Sequence, residues 1–256
     1  KSFKMEAAGQ VAGSVSFNVA VLKEPRGFIK PIQWILSIFA FATTVGVHAD
    51  LKFDFVDSTT NTTVHGSVPI KIEYPFNLES IEPWGITCNT STGMETGKFT
   101  LFQGSKPSAE FFVFVGVIVF LYCLAALVLY IFFDNIYRRN NTFTIADFIV
   151  SAIIVLLWLI SSSAWAQGVT DVKYYTDLNS CGVFKKMKEF CSGSTINFQE
   201  TMFPNFASLN VSVIFGFLNM LVWIGNLWFL WKETPWSKAQ PKPATMSGQE
   251  QGNQKI

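Results

Sequence analysis

The chain has 256 residues; half of them are hydrophobic and 14% are charged, where about 25% charged residues is usual for a soluble domain. The formal net charge is +1, so electrostatics gives no support to nucleic-acid binding. Two His and four Cys are a poor supply for a zinc or haem site, and we predict no metal and no cofactor.

The N-terminal segment, residues 1–30, is mixed in polarity and ends in a basic stretch, KEPRGFIK. It has no apolar core of the signal-peptide type, so we expect the first span itself to direct insertion. The following charge-free run predicts a first membrane span at 31–49. Pro31 suits the first turn of that helix, where its missing N–H costs nothing. Lys30 is expected to snorkel to the membrane surface.

A long polar loop follows at 50–110. Three short runs in it alternate apolar and polar residues, which predicts half-buried strands lying against the membrane side. These runs are LKFDF (51–55), VPIKIEY (68–74) and KFTLF (98–102). Asn61 and Asn89 each begin an Asn-x-Ser/Thr triplet, so both are candidate glycosylation acceptors if the loop lies outside the cytoplasm.

Two further charge-free runs predict a second span at 111–133 and a third at 148–170. The short polar segment between them, 134–147, is predicted as a cytoplasmic turn. Cys123 is interpreted as a small buried residue, with palmitoylation as the less favoured alternative. Residues seven apart form the predicted packing seam of the second span: Gly116, Cys123 and Tyr130.

The third span ends in the serine-rich stretch SSSAWAQG (161–168). A nucleophilic serine would need a base, and this segment contains neither His nor acid. His48 at a span end and His65 in a loop do not supply one. Small residues here favour close helix packing instead, and we expect no catalytic residues and no enzymatic activity.

A second polar loop is predicted at 171–206, the fourth span at 207–231 and a disordered cytoplasmic tail at 232–256. The loop carries Cys181 and Cys191. Two Cys in one loop on an oxidising side predict a local disulfide between them.

The fourth span is not uniformly apolar. Small and polar residues recur in it at steps of four, three, four and three, which places them on one helical face. This predicted packing stripe consists of Ser212, Gly216, Asn219, Trp223 and Asn226. Asn in hydrocarbon is costly unless paired, so the stripe should face other helices, and a polar pore lining is the less favoured interpretation.

Four spans place both termini on the same side of the membrane. The termini and the short turn carry eleven Lys and Arg in 69 residues, whereas the two large loops carry eight in 97. The positive-inside rule therefore favours cytoplasmic termini. The glycosylation triplets and the cysteines of the large loops favour the same orientation.

Several blocks in this order resemble the synaptophysin family, the four-spanning vesicle proteins of the MARVEL superfamily. They are KEPRGFIKPIQW (23–34), IFAFAT (38–43), YPF (74–76), SAEFFV (108–113), SSSAWAQGVTDVK (161–173) and NVSVIFGFLNMLVWIGNLWFLWKETPW (210–236).

The resemblance implies an all-α transmembrane four-helix bundle of the MARVEL type, with a small β-containing lumenal cap formed by the first loop. It implies a non-enzymatic protein of synaptic or transport vesicles that acts in vesicle organisation and trafficking. Family members oligomerise, associate with cholesterol-rich membrane and, in neurons, bind the vesicle SNARE synaptobrevin. Bound cholesterol, a homo-oligomer and a synaptobrevin-type SNARE are therefore the expected partners, besides the lipid bilayer.

Two departures from the family pattern stand out. The long Tyr-, Gly-, Gln- and Pro-rich tail of synaptophysin proper is missing, so the tail is more similar to pantophysin or mitsugumin, to an invertebrate member, or to a truncated form. The family has a Cys pair in each lumenal loop, but the first loop here holds Cys88 alone. The resemblance thus supports the Cys181–Cys191 pair and implies that Cys88 is unpaired or bridges two subunits.

The alternative function is a channel or transporter subunit that forms a pore as an oligomer. Apart from His48 at the end of the first, none of the four predicted spans contains Asp, Glu, Lys, Arg or His. Ion and proton pathways commonly use such residues, so this alternative ranks below the vesicle protein.

Overall fold

A computed structural model describes residues 22–57, 63–90, 93–101, 104–133, 141–191, 196–202, 204–234 and 237. Within these ranges four long helices form a bundle. A small cap of strands and one short helix covers one end of it. We call this the cap end of the bundle and the opposite one the ion-pair end, after a residue pair described below.

Four helices are long and apolar enough to cross a membrane: α1 (Pro25–Val45), α2 (Lys106–Phe132), α3 (Asn141–Tyr175) and α5 (Ala207–Glu233). Each contacts two neighbours, which gives a ring in the order α1, α2, α3, α5. The 35 residues of α3 span about 52 Å at 1.5 Å each. Because the hydrocarbon layer is about 30 Å thick, α3 extends beyond it.

Three helices begin earlier than the sequence predicted, and α2 does so at Lys106 instead of residue 111. Helix α1 begins at Pro25, so Pro31 lies inside the helix and its predicted place in the first turn is wrong. Pro25 itself occupies the first helical position, where a proline costs no hydrogen bond. Helix α3 begins at Asn141, and the second half of the predicted turn is helical. All three changes extend helix into sequence that carries charge.

The cap contains a three-stranded antiparallel sheet in the order β2, β1, β5 and a separate hairpin of β3 and β4. The strands are β1 (His48–Asp57), β2 (Thr63–Glu73), β3 (Trp84–Thr90), β4 (Gly93–Phe99) and β5 (Ile196–Met202). The first two predicted runs lie in β1 and β2, whereas the third overlaps β4 only at 98–99. The first loop does not form the cap alone, because the second loop contributes β5 and the short helix α4 (Gly182–Phe190).

Aromatic packing holds the cap together. Strand β1 buries Leu51, Phe53 and Phe55 and leaves the residues between them partly exposed, as the alternation predicted. The Phe53 ring lies 5.4 Å from that of Phe184 on α4 and 6.1 Å from that of Trp84 on β3, centroid to centroid. The cap therefore has an apolar core to which both loops contribute.

The disulfide of the cap joins Cys88 to Cys191, with their Cα atoms 5.4 Å apart. The predicted Cys181–Cys191 pair is wrong, and so is the expectation that Cys88 lacks a partner within the chain. Cys181 and Cys191 flank the two ends of α4, and ten helical steps separate their Cα atoms by about 15 Å. A disulfide tolerates roughly 7 Å at most. Cys181 is a buried free thiol.

Candidate functional site

The packing stripe of α5 faces α3 along one side. Trp165 Nε1 donates a hydrogen bond to Ser212 Oγ at 2.8 Å, and Asn226 Nδ2 donates to Ser151 Oγ at 3.2 Å. Between these contacts, a Cβ added at Gly216 would lie only 2.5 Å from Ser162 Oγ. The two helices thus approach closely where Gly216 has no side chain.

The same stripe also contacts α1. Asn219 Nδ2 donates to the Leu36 carbonyl at 3.0 Å and to its own helix at Phe215 O, 2.8 Å away. One turn further along α5, the Trp223 ring lies 4.8 Å from Lys30 Nζ. All five stripe residues are therefore buried between helices.

A matching stripe on α1 was missed in the sequence. Its members recur at steps of three and four and are fully buried: Lys30, Gln33, Ser37, Ala40 and Thr44. The spacing that marked the stripe of α5 is present here too. The pattern alone hides this stripe because its first residue is a charge, for which the membrane surface is the expected place.

Lys30 pairs with Asp147 inside the bundle. Lys30 Nζ lies 3.5 Å from Asp147 Oδ1, and the two side chains are 0% and 7% exposed. The expectation that Lys30 snorkels to the surface is wrong. The statement that no span carries a charge is wrong too, because α1 and α3 include both residues. A buried charge is tolerated when an opposite charge and hydrogen bonds compensate it.

Three further side chains surround the Asp147 carboxylate and the Lys30 ammonium. Tyr122 and Tyr130 of α2 donate their hydroxyls to Asp147, and Ser151 Oγ lies 3.5 Å from its Oδ1. Lys30 Nζ lies 5.2 Å from the Tyr122 ring centroid and 6.0 Å from that of Tyr130, within reach of a cation–π interaction.

We call this group the ion-pair cluster: Lys30, Tyr122, Tyr130, Asp147, Ser151, Trp223 and Asn226. It contains residues from all four spanning helices. The cluster holds the four helices together, because groups on neighbouring helices compensate each of the two charges. Sequence patterns indicated Tyr130, Trp223 and Asn226 as packing residues. Asp147 and Ser151 are four residues apart and hence on one face of a helix, but no local pattern joins any of these residues to Lys30.

A groove of about 180 Å³ lies beside the cluster, between α2 and α3. Tyr122, Tyr130 and Asp147 form part of its wall, and Ala125 and Ala146 leave the space between the helices. The rest of its lining is apolar. Leu129 and Phe143 of its lining are exposed, so the groove is open at the surface of the bundle.

The remaining predicted sites lie elsewhere. Asn61 is outside the described residues, and the backbone of Asn89 lies in β3 opposite Met94, so glycosylation stays a prediction. Cys123 is fully buried in α2 with Gly116 and Tyr130, as a packing residue would be, and this position disfavours palmitoylation.

Four apolar helices in a bundle, with the two large loops joined in one cap, define a multi-pass membrane protein. Residues 21–229 match the model of the MARVEL family, described as a membrane-associating domain. The chain belongs to this family, and the expectation of a MARVEL-type membrane protein is confirmed.

Proposed function

We propose that this protein is a non-enzymatic component of synaptic or transport vesicle membranes, of the synaptophysin type, with both termini in the cytoplasm. It organises the vesicle membrane by oligomerising and by binding membrane partners. The ion-pair cluster is the observation that carries this proposal. It ties four helices into one unit through contacts that face inwards, and leaves the outer surface for lipid and other proteins.

The outer surface of the bundle supports contacts with lipid and with further copies of the chain. Each spanning helix exposes large apolar side chains, among them Phe39, Phe114, Leu156 and Ile214. Such side chains are favourable in hydrocarbon and offer packing surfaces for neighbouring helices. A homo-oligomer and a membrane-anchored SNARE of the synaptobrevin type would both use this surface.

The groove beside the ion-pair cluster supports cholesterol as a lipid partner. It is apolar, it is open at the surface of the bundle, and its alanines leave room between α2 and α3. Ala146→Phe would fill it, whereas Ile214→Phe adds the same kind of bulk on the exposed face of α5. A photoreactive sterol should label the wild type and Ile214→Phe, and labelling should be lost in Ala146→Phe. Equal labelling of all three proteins would exclude the groove as the sterol site.

Cell fractionation tests the vesicle assignment. The tagged protein should migrate with small vesicles, and glycosidase should shift its mobility on gels. The double variant Asn61→Gln/Asn89→Gln should lose this shift, because it lacks both acceptors. Residence at the plasma membrane or at cell junctions would contradict the vesicle role, and an unshifted wild type would remove the support for lumenal loops.

A pore formed by several copies is the alternative function. The ion pair favours it, since charged residues inside spans commonly mark ion pathways. Trp158, Trp165 and Trp223 are fully buried in the bundle interior, so such a pore would lie between copies. Purified protein in planar bilayers should then conduct, and Asn219→Leu serves as the comparison variant. Silence of both proteins would exclude this function.

A further inference from the structure

Several buried polar atoms lie in the middle of the bundle without a protein partner. Among the described residues, neither Gln33 Nε2 nor Gln33 Oε1 has one, nor do Asn219 Oδ1 and the indole nitrogens of Trp158 and Trp223. All four residues are fully buried. An unsatisfied buried polar group is unfavourable, so several of them at one place indicate a partner that the protein chain itself does not supply.

Helix geometry places Trp158 and Asn219 at the same depth. Among the hydrogen bonds that join α3 and α5, Trp165 donates to Ser212 and Asn226 donates to Ser151. Trp158 lies seven residues from both contact residues of α3, and Asn219 lies seven from both of α5. Since seven residues make nearly two helical turns, the two side chains come opposite each other midway between the contacts.

Gln33 lies at this depth on α1. Lys30, three residues before it, lies against the ring of Trp223, and Leu36, three residues after it, accepts the hydrogen bond from Asn219. Gln33 is on the buried stripe of α1 and therefore faces α5 between these two contacts. The unpartnered atoms of α1, α3 and α5 thus occupy one layer of the bundle.

The unpartnered atoms include both hydrogen-bond donors and hydrogen-bond acceptors. Gln33 Nε2 and the two indole N–H groups are donors, whereas Gln33 Oε1 and Asn219 Oδ1 are acceptors. A metal ion would satisfy only the oxygens and would be opposed by the N–H groups. Water donates and accepts, and buried water commonly makes about three hydrogen bonds to such groups.

We propose that Gln33, Trp158, Asn219 and Trp223 form a water-binding site in the middle of the bundle. Bound water accepts from the indoles and donates to the amide oxygens. It thereby links α1 to α3 and α5 at a depth where direct hydrogen bonds between their side chains are few. The site adjoins the ion-pair cluster at Trp223, whose ring faces Lys30 while its indole N–H has no protein partner. It does not depend on the vesicle role.

Trp165 provides a matched control for this proposal. It is also fully buried, but its indole N–H already donates to Ser212 Oγ. The full-length protein in lipid nanodiscs, labelled with ¹⁵N at the indoles, is examined by water–proton cross-relaxation NMR. Single Trp→Phe variants assign the signals. The indole protons of Trp158 and Trp223 should show cross-peaks with water, and that of Trp165 should show none.

Absence of water cross-peaks at both Trp158 and Trp223 would overturn the proposal, and so would equal cross-peaks at Trp165, which would indicate general solvent penetration. Gln33→Leu should cause loss of the Trp223 cross-peak because it removes one wall of the site. Ser37→Ala should leave that signal unchanged, since Ser37 donates only to Trp34 O on its own helix. If the Trp223 cross-peak is retained in Gln33→Leu, Gln33 is not part of the site. If Gln33→Leu does not fold, the cross-peaks of the wild type decide the proposal.

Discussion

The two ends of the bundle are stabilised by different chemistry. At the ion-pair end, Lys30 and Asp147 hold the helices together through charge, hydroxyl groups and aromatic rings. At the cap end, the Cys88–Cys191 disulfide and a cluster of aromatic side chains around Phe53 join the two loops.

The surroundings of each end explain this difference. Lipid is as apolar as a leucine side chain, so helices in a membrane gain little from apolar burial alone and depend on close packing and polar contacts. The cap lies outside the spans, where burying aromatic surface from water is strongly favourable. The chain therefore uses polar groups to join apolar helices and apolar groups to join polar loops.

The largest effect is expected from breaking the ion pair on one side. Asp147→Leu leaves the Lys30 charge buried without compensation, which should lower the free energy of unfolding by about 3–5 kcal/mol. Denaturant unfolding in detergent micelles, followed by tryptophan fluorescence, measures this loss.

The double variant Lys30→Met/Asp147→Leu is the control for that experiment. It removes both charges, so it should recover a substantial part of the lost stability. A double variant as unstable as Asp147→Leu would show that packing or the tyrosine hydrogen bonds, rather than the charge, account for the effect.

The second largest effect is expected at the cap end. Cys88→Ser removes the disulfide and should cost about 2–5 kcal/mol, with the loss confined to the cap. Thermal unfolding measures the cost, and gel mobility with and without reductant reports the bond. The reductant-dependent shift should vanish in Cys88→Ser and persist in Cys181→Ala. Its disappearance in Cys181→Ala would instead favour the local pair that the sequence predicted.

A smaller effect is expected between the two ends, where α3 and α5 approach at Gly216. A methyl group there would meet Ser162 Oγ and, at 2.7 Å, Phe112 Cε2. Gly216→Ala should therefore destabilise the bundle by about 1–3 kcal/mol through overcrowding. Gly225→Ala on the same helix meets no atom within 4 Å and should be neutral or slightly stabilising. Equal thermal stabilities of the two variants would contradict the close approach.

The smallest effect is expected from pH in the cap. Hydrogen bonds from Ser180 and from the Asn179 backbone N–H lower the pKa of the half-buried Asp177. Because the pKa is lower in the folded state, the stabilisation is present above the ordinary aspartate pKa. It is lost as pH falls through the lowered value. The stability difference between wild type and Asp177→Asn should shrink on acidification. A difference that grows on acidification would contradict a lowered pKa of Asp177 in the folded state.

The sequence predicted the helices well because hydropathy and helical period are local signals. Four charge-free runs correspond to four helices, and the spacing of Ser212, Gly216 and Asn219 indicated the face of α5 that lies between α1 and α3. The first two strands of the cap followed from simple alternation in the same way.

Features that depend on distant partners could not be predicted. Lys30 and Asp147 are 117 residues apart, and each was placed at a span boundary because an isolated charge is unfavourable in hydrocarbon. The disulfide was assigned to the nearer pair of cysteines, although helix α4 keeps them apart. The strand β5 reads INFQETM, and it was missed because its sequence is polar and its partner, β1, lies in the other loop.

The pairing of β1 with β5 sets the order in which the protein can be completed during synthesis. Cys88 leaves the ribosome 103 residues before Cys191, a delay of about 5–20 s at ordinary elongation rates of roughly 5–20 residues per second. During this interval the first loop has an open sheet edge at β1 and a free thiol. The cap can close only after the second hairpin of spans has been inserted, so a ribosome that stalls between the two loops would release a chain with a reactive cysteine and an unpaired strand.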